Sequence, residues 1–135
     1  MMKRIMVFLI GLFFVSMVIS ANDGSSNNGT GINPPSWAIG TWEDKFFSTT
    51  HVVTHDNVRV ITASDTIDFK EISKSQGTPV SALVDKDVYS LTISITYFGT
   101  RQSVSYVYTR LSDTTMKWTW TISGMEVGAG TLIKQ

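Results

Sequence analysis

Hydrophobic and small polar residues alternate almost without interruption in the second half of the chain. Between positions 88 and 98, the odd positions are the hydrophobic residues Tyr89, Leu91, Ile93, Ile95 and Tyr97. The even positions from 90 to 96 are all serine or threonine. A period of two residues places the two sets on opposite faces of an extended strand. Three further segments follow the same pattern, so the sequence predicts an antiparallel all-β domain with an aromatic core.

The same pattern predicts eight strands, near residues 39–47, 50–54, 57–62, 66–72, 88–98, 101–111, 114–122 and 125–134. Short turn sequences such as His55-Asp56-Asn57 and Ser123-Gly124 separate several of them. The stretch 74–87 is less regular. Because Pro79 disfavours a central strand there, we expect Ser81 to Asp85 to form one helical turn. Since the connections are short, the expected topology is an up-and-down meander.

A sheet of about eight strands with one apolar face has to pack on a second layer or curl into a barrel. No long helical period supplies a second layer, so we predict a small closed β-barrel. Its interior is expected to hold Tyr106, Tyr108, Met116, Trp118, Trp120 and Ile122. The outward positions of the same strands are Ser103, Ser105, Thr115, Thr119 and Thr121.

The N-terminus has the composition of an export signal. Lys3 and Arg4 precede an apolar run from position 5 to 19, and Ser20 and Ala21 offer a cleavage site. This run is shorter than the roughly 20 apolar residues of a membrane-spanning helix. We therefore predict a signal peptide over 1–21, a flexible Gly/Ser/Asn-rich linker over 22–36 and a folded domain over 37–135. The protein would be periplasmic or secreted, the alternative being an uncleaved N-terminal anchor as its only membrane contact.

Composition excludes several classes of function. The 135 residues include no cysteine, which rules out disulfides, thiol chemistry and cysteine-ligated metals. Without Lys3 and Arg4, 9 of the 11 basic residues remain against 11 acidic ones, a net charge of −2. This balance leaves no basic stripe and disfavours a nucleic-acid partner.

Gly40-Thr41-Trp42, at the start of the first predicted strand, resembles the G-x-W opening of lipocalins and other members of the calycin superfamily. The resemblance covers residues 37–135. In that superfamily the tryptophan plugs the base of the barrel and a late Arg or Lys packs over its indole. The resemblance therefore implies a barrel base built from Gly40, Trp42 and Lys134, with Arg110 as the second candidate for the cation.

Two binding hypotheses follow from a barrel of this size, whose interior is either filled by side chains or holds one small ligand. In the first, a small apolar or amphipathic molecule occupies the barrel mouth. The ligand-binding residues would be Leu91, Ile93, Tyr106, Tyr108, Trp118 and Trp120. In the second, the core is filled and the outer surface engages a protein or envelope component, with Trp37 as a candidate contact.

Catalytic and metal chemistry find no support in the residue spacing. On a strand, His51 and His55 would stand about 13 Å apart, too far to share an ion. No Gly-x-Ser-x-Gly elbow is present. Four acidic residues have nearby lysines and are expected to form solvated surface pairs: Glu43, Asp44, Asp68 and Glu71. We therefore predict a non-enzymatic protein without metal or cofactor.

Overall fold

The computed structural model describes residues 31–97 and 99–135 and shows an all-β antiparallel meander, as predicted. The predicted signal peptide, 1–21, and the first part of the predicted linker lie outside the described residues. The strands are β1 Gly40–Asp44, β2 Thr49–Thr54, β3 Asn57–Ile61, β4 Thr66–Asp68, β5 Ser81–Asp85, β6 Val88–Tyr97, β7 Thr100–Arg110, β8 Thr115–Ile122 and β9 Met125–Lys134. A short 3-10 helix, Ser36–Ala38, precedes β1, and one α-helix, α1 Phe69–Gln76, joins β4 to β5.

The nine strands form one curled sheet in the order β4-β3-β2-β1-β9-β8-β7-β6-β5. Sequence neighbours pair throughout each half, and the two halves join where β1 pairs with β9. Strands β4 and β5 are the two edges of this half-barrel. Helix α1 contacts β3 and β4 on one side and β6 on the other, so it lies between the two ends of the sheet.

The strand predicted over 66–72 is only partly correct, because β4 ends at Asp68 and α1 begins at Phe69. The Asp68 carboxylate accepts a hydrogen bond from the Glu71 backbone N–H at 3.1 Å, which caps the helix. Phe69 and Ile72, three residues apart, bury the same face. Gly77 ends the helix with a φ of 64°. These local helix signals outweigh the alternation that suggested a strand.

The helical turn predicted for Ser81–Asp85 is wrong, since this segment is β5. It pairs with β6 over its whole length, from Ser81 opposite Thr92 to Asp85 opposite Val88. Pro79 stands just before the strand, where its missing N–H removes no ladder hydrogen bond. Hydrophobic and polar residues do not alternate in this segment because both faces of an edge strand are partly exposed. Leu83 and Val84, which are adjacent, are both exposed.

The core includes the residues of β7 and β8 that the sequence placed inside. Tyr106, Tyr108, Met116, Trp118 and Trp120 are all buried, and Ile122 is partly buried at the end of β8. The expected outward residues Ser103, Ser105, Thr115, Thr119 and Thr121 are each partly exposed. The alternation therefore assigned the faces of β7 and β8 correctly.

Part of the expected linker, 22–36, packs against the domain. Ile32 is fully buried, and its carbonyl accepts a hydrogen bond from the Tyr89 hydroxyl. Gly31 lies so close to the Val80 carbonyl that a Cβ would overlap it. Ile32, an apolar residue within the polar linker, thus belongs to the core.

Candidate functional site

Gly40, Trp42 and Lys134 lie together where β1 pairs with β9. The Lys134 Nζ stands 5.4 Å from the centroid of the buried Trp42 ring, within the range of a cation–π contact. The Trp42 Nε1 donates to the Ala38 carbonyl at 2.9 Å. Gly40 has a φ of 145°, and a Cβ there would lie 2.9 Å from Lys134 Cε. The alternative cation, Arg110, instead pairs with Asp113.

The six candidate ligand residues form part of a continuous core rather than the wall of an open mouth. Leu91, Ile93, Tyr106, Tyr108, Trp118 and Trp120 are each at most 1 % exposed. The Tyr106 ring stacks on Trp120 at 5.5 Å and on Trp118 at 6.1 Å between centroids. Phe69 of α1 meets the same tyrosine edge-on at 5.5 Å. Aromatic rings therefore occupy the space between β7, β8 and α1.

His51 is a fully buried polar member of this core, a role that the spacing of the two histidines did not predict. Its Nδ1 lies 2.9 Å from the Tyr108 hydroxyl, and its Nε2 lies 3.4 Å from Thr49 Oγ1. Burial lowers the pKa of His51 from 6.5 to about 3, so the imidazole is neutral near pH 7. The alternation of β2 carried the signal, because Thr49, His51 and Val53 share its buried face.

Asp44 is buried as well, so its assignment to a solvated surface pair is wrong. Its Oδ2 accepts from Trp118 Nε1 at 2.7 Å. Its Oδ1 accepts from the backbone N–H groups of Phe46 and Phe47 at 2.9 and 3.1 Å. Three donors offset the desolvation of the carboxylate and fix the turn that follows β1.

Gly130 of β9 leaves the space that the Asp44 carboxylate occupies. A Cβ at this position would overlap Asp44 Oδ2 and lie 2.9 Å from Trp118 Nε1. Gly130 pairs with Trp118 across β8 and β9, so the indole passes directly beside it. Periodicity does not predict this contact, because Asp44, Trp118 and Gly130 lie in three different strands.

A groove of about 510 Å³ lies where β1 separates from β9. Strand β1 pairs with β9 only through Trp42 with Lys134 and Glu43 with Ile133, and then turns away. We call this space the β1–β9 groove; it is lined by Glu43, Asp44, Lys45, Phe46, Phe47, Ala129, Gly130, Thr131 and Ile133. A second cleft of about 300 Å³ shares Glu43 and Lys45 and adds the hydroxyls of Ser48 and Thr50. Apolar surface, hydroxyls and both signs of charge therefore meet in these two adjoining clefts.

Two buried polar atoms in the described residues have no hydrogen-bond partner, Trp120 Nε1 and Asp65 Oδ2. Burial raises the pKa of Asp65.

Trp37, the expected exposed contact, is partly buried and donates from Nε1 to the Lys86 carbonyl at 3.0 Å. His55 lies in the exposed turn between β2 and β3.

Over residues 31–97 and 99–135, no group of three acidic or histidine side chains is placed to hold a metal ion. No helix in this part of the chain is both long and apolar enough to cross a membrane. Comparison of the chain with family models, curated proteins and solved structures finds no match.

Proposed function

We propose that the protein is an exported, non-enzymatic binding domain whose ligand or partner occupies the β1–β9 groove outside a filled core. The observation that carries this proposal is the buried aromatic cluster in which Tyr106 stacks on both Trp118 and Trp120 and meets Phe69 edge-on. These rings take up the centre of the curled sheet. The groove, in contrast, combines exposed apolar surface with charged and hydroxyl groups, which is typical of an interaction surface.

Barrel closure and a calycin relationship belong to the same proposal. Helix α1 contacts elements from both ends of the sheet, and we propose that it closes the half-barrel in place of direct pairing between β4 and β5. The contact of Lys134 with Trp42 beside Gly40 supports a lipocalin-like base.

Export rests on the sequence of the N-terminus, where Lys3 and Arg4 precede the apolar run. Mass spectrometry of the protein isolated from its host tests this part directly. We expect a mature chain that begins after Ala21. A chain that keeps these residues and fractionates with membranes would instead indicate an uncleaved anchor.

Site-specific photo-cross-linking tests the proposed binding surface. A photoreactive benzoyl-phenylalanine in place of Thr131 puts the probe inside the groove, and the same probe in place of Arg101 puts it on an exposed position of β7. In the host, we expect a discrete cross-linked product from position 131 and none from position 101. Equal product patterns from the two positions, or no product from either, would remove the support for the groove.

A second candidate function is binding of a small apolar ligand within the core, and one observation favours it. The buried Trp120 Nε1 has no partner among the described residues, so it has a hydrogen-bond donor to offer an internal ligand. Titration with fatty acids, followed by intrinsic tryptophan fluorescence, tests this candidate. A saturable response that Trp120→Phe weakens and Trp37→Phe leaves unchanged would favour the interior over the groove.

A further inference from the structure

Strand β9 has an unpaired edge inside the β1–β9 groove. The Gln135 N–H donates to the Thr41 carbonyl at 2.9 Å, whereas the Lys134 N–H donates to the Thr114 carbonyl at 2.8 Å. Neighbouring residues of β9 therefore direct their backbone groups to opposite sides, as in any antiparallel ladder. By this alternation, Ala129 and Thr131 direct their N–H and C=O groups towards the groove and away from β8.

Strand β1 does not reach these groups. Continuing its register would place Lys45 opposite Thr131, but the chain enters the turn at Lys45, and among the described residues no backbone hydrogen bond joins the two. The groove is therefore the space that a longer β1 would have filled. Strand edges with unpaired backbone groups accept another extended chain.

Two charged side chains beside this edge form no ion pair with any residue that the structure describes. Glu43 and Lys45 both line the groove, and neither forms an ion pair within the part of the chain that the structure describes. Ile133, which is 46 % exposed, provides apolar surface on the outer side of β9. A complementary segment would carry an apolar side chain for Ile133, flanked by a basic group for Glu43 and an acidic group for Lys45.

We propose that an extended peptide segment of a partner protein binds in the β1–β9 groove as an added strand, paired with Ala129 and Thr131 of β9. This inference rests on the proposed function and specifies its partner class and binding mode. The volume of about 510 Å³ suits a short segment rather than a folded domain. The backbone of β9 provides the affinity, and the two charges provide the selection among peptides.

Peptide selection followed by hydrogen exchange tests the binding mode. A random heptapeptide library displayed on phage is selected on the full chain, and the enriched peptides are synthesised. In the protein alone, we expect fast exchange of the Ala129 and Thr131 amides and slow exchange of the Gly128 and Gly130 amides, which face β8. Bound peptide should slow the first pair and leave the second pair unchanged.

Methylated peptides provide a control that leaves the protein intact. N-methylation at the peptide residues that face β9 should weaken binding about tenfold for each hydrogen bond lost, whereas methylation at the alternate residues should have little effect. In the protein, Ala129→Pro removes the same donor and should weaken binding about tenfold. Ala129→Val keeps the N–H and should bind as the natural chain does.

Results that contradict strand addition can be told apart from results that contradict the proposed function. Enrichment of no peptide, or binding that leaves Ala129 and Thr131 unprotected, would overturn strand addition. Protection that rises with protein concentration in the absence of peptide would assign the edge to a second copy and also overturn it. If cross-linking from Thr131 still yields a partner in these cases, the proposed function stands and only the binding mode fails.

Discussion

At the scale of single residues, position 130 requires glycine because the Asp44 carboxylate of β1 occupies the space that a Cβ would need. A methyl group at this position would displace the Asp44 carboxylate from Trp118 Nε1. We expect Gly130→Ala to destabilise the fold by about 1.5–3 kcal/mol, the range for a hydrogen bond to a charged group. Chemical denaturation measures this loss. Gly128→Ala is the matched control, because its Cβ would meet Trp118 and Trp120 at ordinary contact distances. Equal losses in both variants would contradict this explanation.

His51 makes the stability depend on pH. Its folded-state pKa lies at about 3, below the ordinary value of 6.5, because burial disfavours the imidazolium. The unfolded state therefore binds the proton first as the pH falls. The contribution of His51 is complete above pH 6.5 and is lost progressively towards pH 3. Between pH 6.5 and 4 this loss amounts to about 3 kcal/mol.

Urea denaturation of His51→Gln across this pH range tests the assignment. We expect the variant to be less stable than the natural chain at pH 7 but to have a shallower pH dependence. His55→Gln, which changes a histidine in an exposed turn, should keep the slope of the natural chain. An unchanged slope in His51→Gln would mean that other groups cause the acid sensitivity.

At the scale of elements, the boundary between β4 and α1 depends on the cap at Asp68. This carboxylate accepts from the Glu71 N–H and from the Asn57 side chain. We expect Asp68→Ala to cost about 0.5–2 kcal/mol and Asp68→Asn to cost much less, because asparagine is also a good N-cap. Denaturation curves of the two variants test the cap. If both lose the same stability, charge rather than capping explains the role of Asp68.

The elements also show what could be predicted from the sequence. Alternation placed β6 to β9 within about one residue of their observed ends, since each strand has one buried and one wetter face. The sequence contains capping signals for α1 in Asp68, Glu71 and Gly77. A short alternating run over the same residues favours a strand instead. Strand β5 has no such signal, because its edge position leaves four of its five residues exposed.

The candidate site was much less predictable. Alternation indicates the character of its apolar and charged residues. The groove itself exists because β1 ends at Asp44 and turns into β2, while β9 continues past that turn, and this arrangement is a tertiary feature. Likewise, the buried pair of Asp44 and Trp118 joins residues 74 positions apart. Periodicity reports which face a residue occupies and carries no information on such long-range partners.

At the scale of the whole molecule, Trp42 joins the two halves of the sheet where β1 meets β9. We expect Trp42→Ala to destabilise the protein by about 3–5 kcal/mol, because a large buried indole is removed from the base. Trp37→Ala, at a partly buried site, should cost less. A loss below about 1 kcal/mol for Trp42→Ala in chemical denaturation would make Trp42 peripheral and remove the basis of the calycin analogy.

The filled core is the claim on which the location of the binding surface depends. Apolar cavities large enough for a ligand take up xenon, whereas a close-packed core does not. The side-chain methyl groups of Leu91 and Ile93 report on the interior, and their NMR signals can be followed under increasing xenon pressure. We expect only small changes that are linear in pressure. Saturable shifts of the methyl signals of both residues would show that xenon binds in an internal cavity. That result would contradict a core filled by aromatic side chains.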